Sequence, residues 1–151
     1  MSSYYKLNYE QFLPADYNAA IIDVGCGTGD FVRYVHQLGY RNILAVDIDQ
    51  HALSEISELT GVTKLCAHVD AAFFMKSDRK FDLIVMKQVI YYHDRGSVIH
   101  LLDAVRERLS ESGVLIVEIF NGALVSARFT EVKDPGIRTA YSELSLPRLL
   151  I

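Results

Sequence analysis

Cysteine is scarce in this chain, with only Cys26 and Cys66 among 151 residues. Two thiols without metal-ligand spacing make neither a disulfide framework nor a zinc site, so both are expected to be reduced. No run of lysine and arginine appears, and the net charge is −4 with a pI near 5.7. A basic footprint for nucleic acid is therefore missing, and a small-molecule or carbohydrate partner is expected ahead of RNA or DNA. No apolar run approaches the ~20 residues that a membrane-spanning helix needs. The opening Met1-Ser2-Ser3-Tyr4-Tyr5-Lys6 lacks the apolar stretch of a secretory signal, so a cytoplasmic location is expected. Proline and glycine are modest at 3 and 9 residues, which excludes wholesale disorder.

What the chain does have is apolar residues in quantity, half of the total, in short runs that alternate with segments of helical period. Ile21-Ile22-Asp23-Val24, Ile43 to Asp47, Lys64 to Val69, Phe81 to Met86 and Val114 to Phe120 read as five strands. Phe31, Val32, Val35 and Leu38 mark one helix, stopped by Gly39. Ala52, Leu53, Ile56 and Leu59 mark a second, with Asp49 as its N-cap. Val98 to Leu109 mark a third, starting near Ser97. Nearly continuous apolar strands alternating with amphipathic helices predict a Rossmann-like α/β fold, a mainly parallel open sheet with helices on both faces. The expected organisation is an aromatic segment at 1–20, a core at 21–120, and a loop with the start of a helix capped by Ser142 at 121–151. The apolar ending Leu149-Leu150-Ile151 reads as a cut through an element. A truncated chain is expected to leave the fifth strand as an edge through which it self-associates.

One turn carries most of the functional information. Asp23-Val24-Gly25-Cys26-Gly27-Thr28-Gly29-Asp30 joins the first strand to the first helix of the core. In such sheets ligands bind beyond the carboxyl ends of the strands. Glycines let the backbone approach the ligand, and the helix N-terminus offers free amides. The dinucleotide fingerprint is G-x-G-x-x-G, whereas here the third glycine comes one residue early. Asp47 ends the second strand, where a carboxylate accepts both ribose hydroxyls. The early glycine and this carboxylate fit adenosine with a short amino-acid tail better than a pyrophosphate.

Ile21 to Phe31 resembles the first motif of class I S-adenosylmethionine-dependent methyltransferases. Ala45-Val46-Asp47-Ile48-Asp49, Val69-Asp70-Ala71, Lys80 to Tyr92 and Leu109 to Glu118 resemble that family's later motifs, in its order. The resemblance implies that Gly25, Cys26, Gly27 and Gly29 lie along the methionine part of the cofactor, with Asp23 near its ammonium. It places Asp47 on the ribose, Ile48 on the adenine face, and Asp70 with the Ala71 amide at the adenine edge. Lys87 and Gln88 border the sulfonium, mainly through backbone groups. It also implies an antiparallel hairpin after the fifth strand, for which this chain has no residues.

Methyl transfer is an in-line displacement that rests on alignment, and His93 in Tyr91-Tyr92-His93-Asp94 is the candidate proton acceptor. Its bland alternative is to order the loop before the next helix. Tyr91 and Tyr92 are candidates for the substrate pocket. No metal site is expected. Asp82 and Asp49 read as structural, and the tyrosines at 4, 5, 9 and 17 either pack on the core or cover the cofactor. The segment Arg138 to Leu146 resembles part of bacterial sugar- and polysaccharide-modifying methyltransferases. A non-catalytic S-adenosylmethionine-binding module is the alternative function, and an NAD-dependent oxidoreductase is a more distant one.

Overall fold

The computed structural model describes residues 2–120 together with Arg138 and Tyr141. Its sheet has five strands: β1 (Ile21–Val24), β2 (Ile43–Asp47), β3 (Val62–Cys66), β4 (Phe81–Lys87) and β5 (Leu109–Glu118), in the order β3-β2-β1-β4-β5. Every pairing is parallel, as the apolar character of the strands predicts. Strand order reverses between β1 and β4, which opens a crevice at their carboxyl ends. The expected Rossmann-like fold is thus observed, with all five strands of the described residues parallel.

Successive residues of a strand face opposite sides, and two cores result. Ile21, Ile43, Leu83 and Val85 pack with Phe31, Val32 and Val35 of α2 (Asp30–Leu38), and with Tyr5 of α1 (Ser2–Asn8) and Tyr9. Ile22, Val24, Ile84 and Met86 pack on the other face against Leu101 and Val105 of α5 (Arg95–Arg108), joined by Tyr141. Tyr5 and Tyr9 of the N-terminal aromatic segment pack on the core, Tyr5 against Phe31 at 5.5 Å between ring centroids, whereas Tyr4 and Tyr17 are exposed.

Boundaries depart from the sequence reading in several places. The second core helix is only α3 (Gln50–Ser54), and Ile56 reaches the core through a turn in which its N–H bonds Leu53 O at 3.2 Å. Asp49 does cap α3, accepting from the His51 and Ala52 amides. β3 lies two to three residues earlier than expected, because its register with β2 starts at Ile43 opposite Val62. β5 starts at Leu109 opposite Phe81, earlier than the expected Val114, with an irregularity between Phe81 and Leu83. It ends at Glu118, short of Phe120. α5 begins at Arg95, since the Asp94 side chain accepts from the Ser97 amide at 3.0 Å. A five-residue helix, α4 (Ala71–Met75), was too short to show a period; Asp70 caps it. The Gly39 stop holds, in the left-handed region at φ 114°. The loop and the Ser142-capped helix expected after Asn121 lie outside the described residues. No helix among those residues is long and apolar enough to cross a membrane.

Candidate functional site

The turn after β1 adopts the backbone that its glycines permit. Gly25, Gly27 and Gly29 all have positive φ, at 68°, 52° and 82°. Gly25 and Cys26 donate their amides to Val46 O, which ties the turn to β2. A Cβ on Gly25 would meet Val89 Cγ2 at 2.3 Å, so any side chain there would have to displace Val89. At Gly27 a Cβ would meet nothing within 4 Å, so the space over that residue belongs to the cavity it lines. The Cys26 thiol is buried, and burial pushes its pKa up. It is an inert small side chain in the turn.

Two cavities meet at this edge. The larger, about 550 Å³, runs past Val24, Gly25, Asp47, Ile48 and Ala67-His68-Val69 to Tyr91, Tyr92 and His93. The smaller, about 250 Å³, lies over the turn between Asp23, Gly25 to Thr28, Phe31 and Tyr5. Gly25, Lys87 and Gln88 line both. This junction is where a ligand would cross from one chamber to the other.

Asp47 sits at the end of β2, with Oδ2 accepting from the Gly27 amide at 2.7 Å and Oδ1 from the Asp49 amide at 2.9 Å. Ile48 beside it is 68% exposed, an apolar face open to the cleft. Asp70 and Ala71 are not among the lining residues of either cavity. The Asp70 carboxylate accepts from the Phe73 amide at 2.9 Å as the cap of α4, and Ala67, His68 and Val69 supply that wall. His93 faces His68, ring centroids 5.6 Å apart. Burial, followed by the His68 field, lowers its pKa, against the opposing fields of Asp70 and Asp94. The shift favours its neutral imidazole. The cap of the helix that follows is Asp94. Tyr91 and Tyr92 lie with ring centroids 4.7 Å apart on the same wall.

Asp23 is 2% exposed at the floor of the smaller cavity. Burial drives its pKa up to about 8, the Lys87 charge opposing and the Asp47 charge adding to the rise. No group among the described residues donates a hydrogen bond to it. Gln88 is the one described non-glycine residue with positive φ, at 60°, a conformation that L side chains pay for. It donates from Nε2 to Glu118 Oε1 at 3.2 Å. Its own Oε1 is buried without a partner.

Tyr5, from the aromatic segment expected either to pack on the core or to cover the cofactor, lines the smaller cavity beside Lys87. Glu118, at the end of β5, also accepts from the hydroxyls of Tyr4 and Tyr9. Burial pushes the Glu118 carboxyl up, yet these bonds, Gln88 and the Lys87 charge outweigh it and hold it below its usual value. Lys87 Nζ donates to the Tyr5 hydroxyl at 3.1 Å and stands over the Tyr4 and Tyr5 rings. No local pattern announces a contact between residues 82 to 114 positions apart. Among the described residues no group of three His, Cys, Asp or Glu could hold a metal.

The profile of a methyltransferase domain family matches residues 1–149. The chain belongs to that family. The domain superposes on an S-adenosylmethionine-dependent methyltransferase of Archaeoglobus fulgidus with a TM-score of 0.82 at 16% identity, covering 99% of this chain and 65% of that one. It also resembles a Mesorhizobium loti enzyme of the same description, with a TM-score of 0.75, 20% identity, and 99% and 79% coverage. A ribosomal-protein methyltransferase of Porphyromonas gingivalis is 26% identical over 103 residues, 66% of this chain and 34% of that protein. The chain thus spans about a third of that curated relative. S-adenosylmethionine is the cofactor of the proteins that share this methyltransferase fold.

Proposed function

We propose that this methyltransferase domain binds S-adenosylmethionine across the two joined cavities and methylates a small-molecule or carbohydrate acceptor by in-line displacement. The observation that carries this reading is the junction at Gly25, Lys87 and Gln88. A nucleoside-sized chamber ending on Asp47 opens there into a small, glycine-floored chamber with a buried carboxylate. A pyrophosphate would meet Asp23 in that second chamber; an amino acid's ammonium finds there a partner for its charge. When bound, the cofactor supplies an electrophilic methyl group.

The chain's residues do the holding. Asp47 takes the ribose hydroxyls, giving up the Gly27 amide that it accepts from here. Ile48 covers the adenine, and Ala67, His68 and Val69 wall its far edge, in place of the Asp70 and Ala71 expected there. Gly25, Cys26, Gly27 and Gly29 leave room for the amino-acid tail, with Asp23 beneath its ammonium. The backbones of Lys87 and Gln88 border the reacting centre. Tyr91 and Tyr92 offer ring faces to the acceptor, and the acidic surface of the chain disfavours a polyanionic one.

Titration of the chain with S-adenosylmethionine, S-adenosylhomocysteine and NAD tests this reading. Binding of the first two and not of NAD is expected; NAD alone would overturn it. Asp47→Ala is expected to weaken cofactor binding by about 1.5–3 kcal/mol, the worth of a hydrogen bond to a charged group, in the same titration. Unchanged affinity would remove Asp47 from the ribose site.

His93 is our proposed proton acceptor, since its imidazole lines the tyrosine-bearing end of the larger cavity and burial favours its neutral form. His93→Gln should then slow turnover by roughly 10²–10⁴-fold while leaving cofactor affinity intact. The acid limb of the wild-type rate profile should fall below the usual histidine range, following the direction of its pKa shift. A variant as fast as wild type would return His93 to a role at the cavity rim. Cofactor binding without methylation of any acceptor by a longer form would favour a binding module.

A further inference from the structure

We propose that the methyl acceptor is an uncharged aromatic compound bearing a hydroxyl group, seated against the Tyr92 ring with that hydroxyl toward His93. The inference rests on the function proposed above and narrows its acceptor, from small molecules and carbohydrates at large to phenols.

The tyrosine-bearing end of the larger cavity is built from rings. Tyr91, Tyr92, His93 and His68 line it. Tyr91 is buried, with its ring centroid 4.7 Å from that of Tyr92, and Phe120 stacks on Tyr91 at 6.0 Å and 22°. Tyr92 and Phe120 are the open members of this group, 43% and 49% exposed. Large aromatic side chains left open beside a cavity mark a place where a ligand is bound. A planar ligand there gains burial and offset stacking together.

Formal charge is missing from this end. Asp47 and Lys87 are the charged residues that line the larger cavity among the described residues, and both are engaged. Asp47 accepts from the Gly27 and Asp49 amides, and Lys87 Nζ donates to the Tyr5 hydroxyl at the junction with the smaller cavity. Asp70, Asp94 and Arg138 act on His93 through their fields, yet none of the three lines either cavity. A cationic amine would find no carboxylate beside it here, and an anionic acceptor no cation, so either would lose its hydration without replacement.

The proton decides among uncharged acceptors. Burial and the His68 field lower the basicity of His93, and a weak base takes a proton readily only from an acidic donor. A phenol has a pKa of about 10, whereas an alkyl hydroxyl such as a sugar's lies near water, at about 16. The phenol oxygen forms its bond to the methyl carbon as the carbon–sulfur bond breaks, with the electron pair of that bond staying on sulfur. The phenol proton goes to the His93 imidazole and from there to water. The products are an aryl methyl ether and S-adenosylhomocysteine.

Calorimetry on the full chain saturated with S-adenosylhomocysteine tests this. The probes are 2-naphthol, its saturated counterpart decahydro-2-naphthol, naphthalene, methyl glucoside, and the charged 2-naphthoate and 2-naphthylmethylammonium. 2-Naphthol should bind most tightly, ahead of decahydro-2-naphthol by about 2–10-fold, the worth of one aromatic contact. Its margin over naphthalene should be of similar size, the worth of one hydrogen bond. Tyr92→Leu should erase the first margin and Tyr92→Phe keep it, while His93→Leu erases the second, all with S-adenosylhomocysteine affinity unchanged and thermal melts confirming the fold. Equal binding of 2-naphthol and decahydro-2-naphthol would overturn the proposal. So would tighter binding of the glucoside or of either charged probe, no binding of 2-naphthol, or margins that survive Tyr92→Leu and His93→Leu. Should a variant fail to fold, the ranking of the probes on wild type decides. In each of these cases S-adenosylhomocysteine still binds and the cofactor reading stands. A chain that does not bind S-adenosylhomocysteine would instead sink that reading, and this inference with it.

Discussion

Raising the pH from about 5 to 8 should destabilise the ligand-free protein through Asp23, and Asp23→Asn should remove that contribution. The carboxyl lies 2% exposed at the end of β1, and burial lifts its pKa from 3.8 to about 8. In the unfolded chain the same group loses its proton near its ordinary value. Between those two points the folded protein holds a proton that the unfolded chain has released, so stability falls as pH rises through the window. Each unit of difference is worth about 1.4 kcal/mol, which makes this a contribution of several kcal/mol, spent by pH 8. Glu118 and Asp94 have lowered values, so their contributions change at more acidic pH, below this window. His93, whose pKa is lowered, acts within it and in the opposite sense, with stability rising as pH climbs toward its unfolded value. Comparing urea unfolding of wild type and Asp23→Asn at each pH isolates the Asp23 part. Equal pH slopes in the two proteins would show that Asp23 is ionised as readily as in water. A saturating ligand with an ammonium beside Asp23 should flatten the wild-type slope, because the added cation favours the carboxylate.

Gly25→Ala and Gly27→Ala are expected to part company, although they are two residues apart in one turn. Both positions have positive φ, so each alanine costs about 1–2 kcal/mol of backbone strain. At Gly25 the new methyl also collides with Val89 Cγ2 at 2.3 Å, and forcing atoms into filled space adds about 1–3 kcal/mol. Gly25→Ala should therefore lose about 2–5 kcal/mol of stability in chemical denaturation. At Gly27 nothing lies within 4 Å of the added methyl. That variant should stay within about 2 kcal/mol of wild type yet lose ligand affinity, because the methyl occupies the space reserved for the bound molecule. Equal destabilisation by both would mean that the turn relaxes around Val89. Unimpaired binding by Gly27→Ala would place the ligand elsewhere.

The sequence by itself determined the features that are local. Mainly apolar runs such as Ile21 to Val24 and Phe81 to Met86, each interrupted by one aspartate, read as strands buried on both faces. Three glycines within five residues point to a backbone that crosses into positive φ, and the caps Asp49 and Gly39 mark helix ends by chemistry confined to one turn. Those features were sufficient for the parallel fold, for the glycine turn, and for Asp47 at the end of β2. Only the tertiary structure decided what surrounds them. Parallel pairing brings Lys87 level with Glu118, and packing of α1 against Phe31 sets Tyr5 over the same end. Neither follows from periodicity, because strand order is not written in the spacing of apolar residues. The same holds for the His68–His93 contact and for Asp70, which the fold engages as the cap of a helix too short to announce itself. Burial is likewise a property of the whole molecule. It alone turns Asp23 from an ordinary carboxylate in a turn into one that keeps its proton near neutral pH.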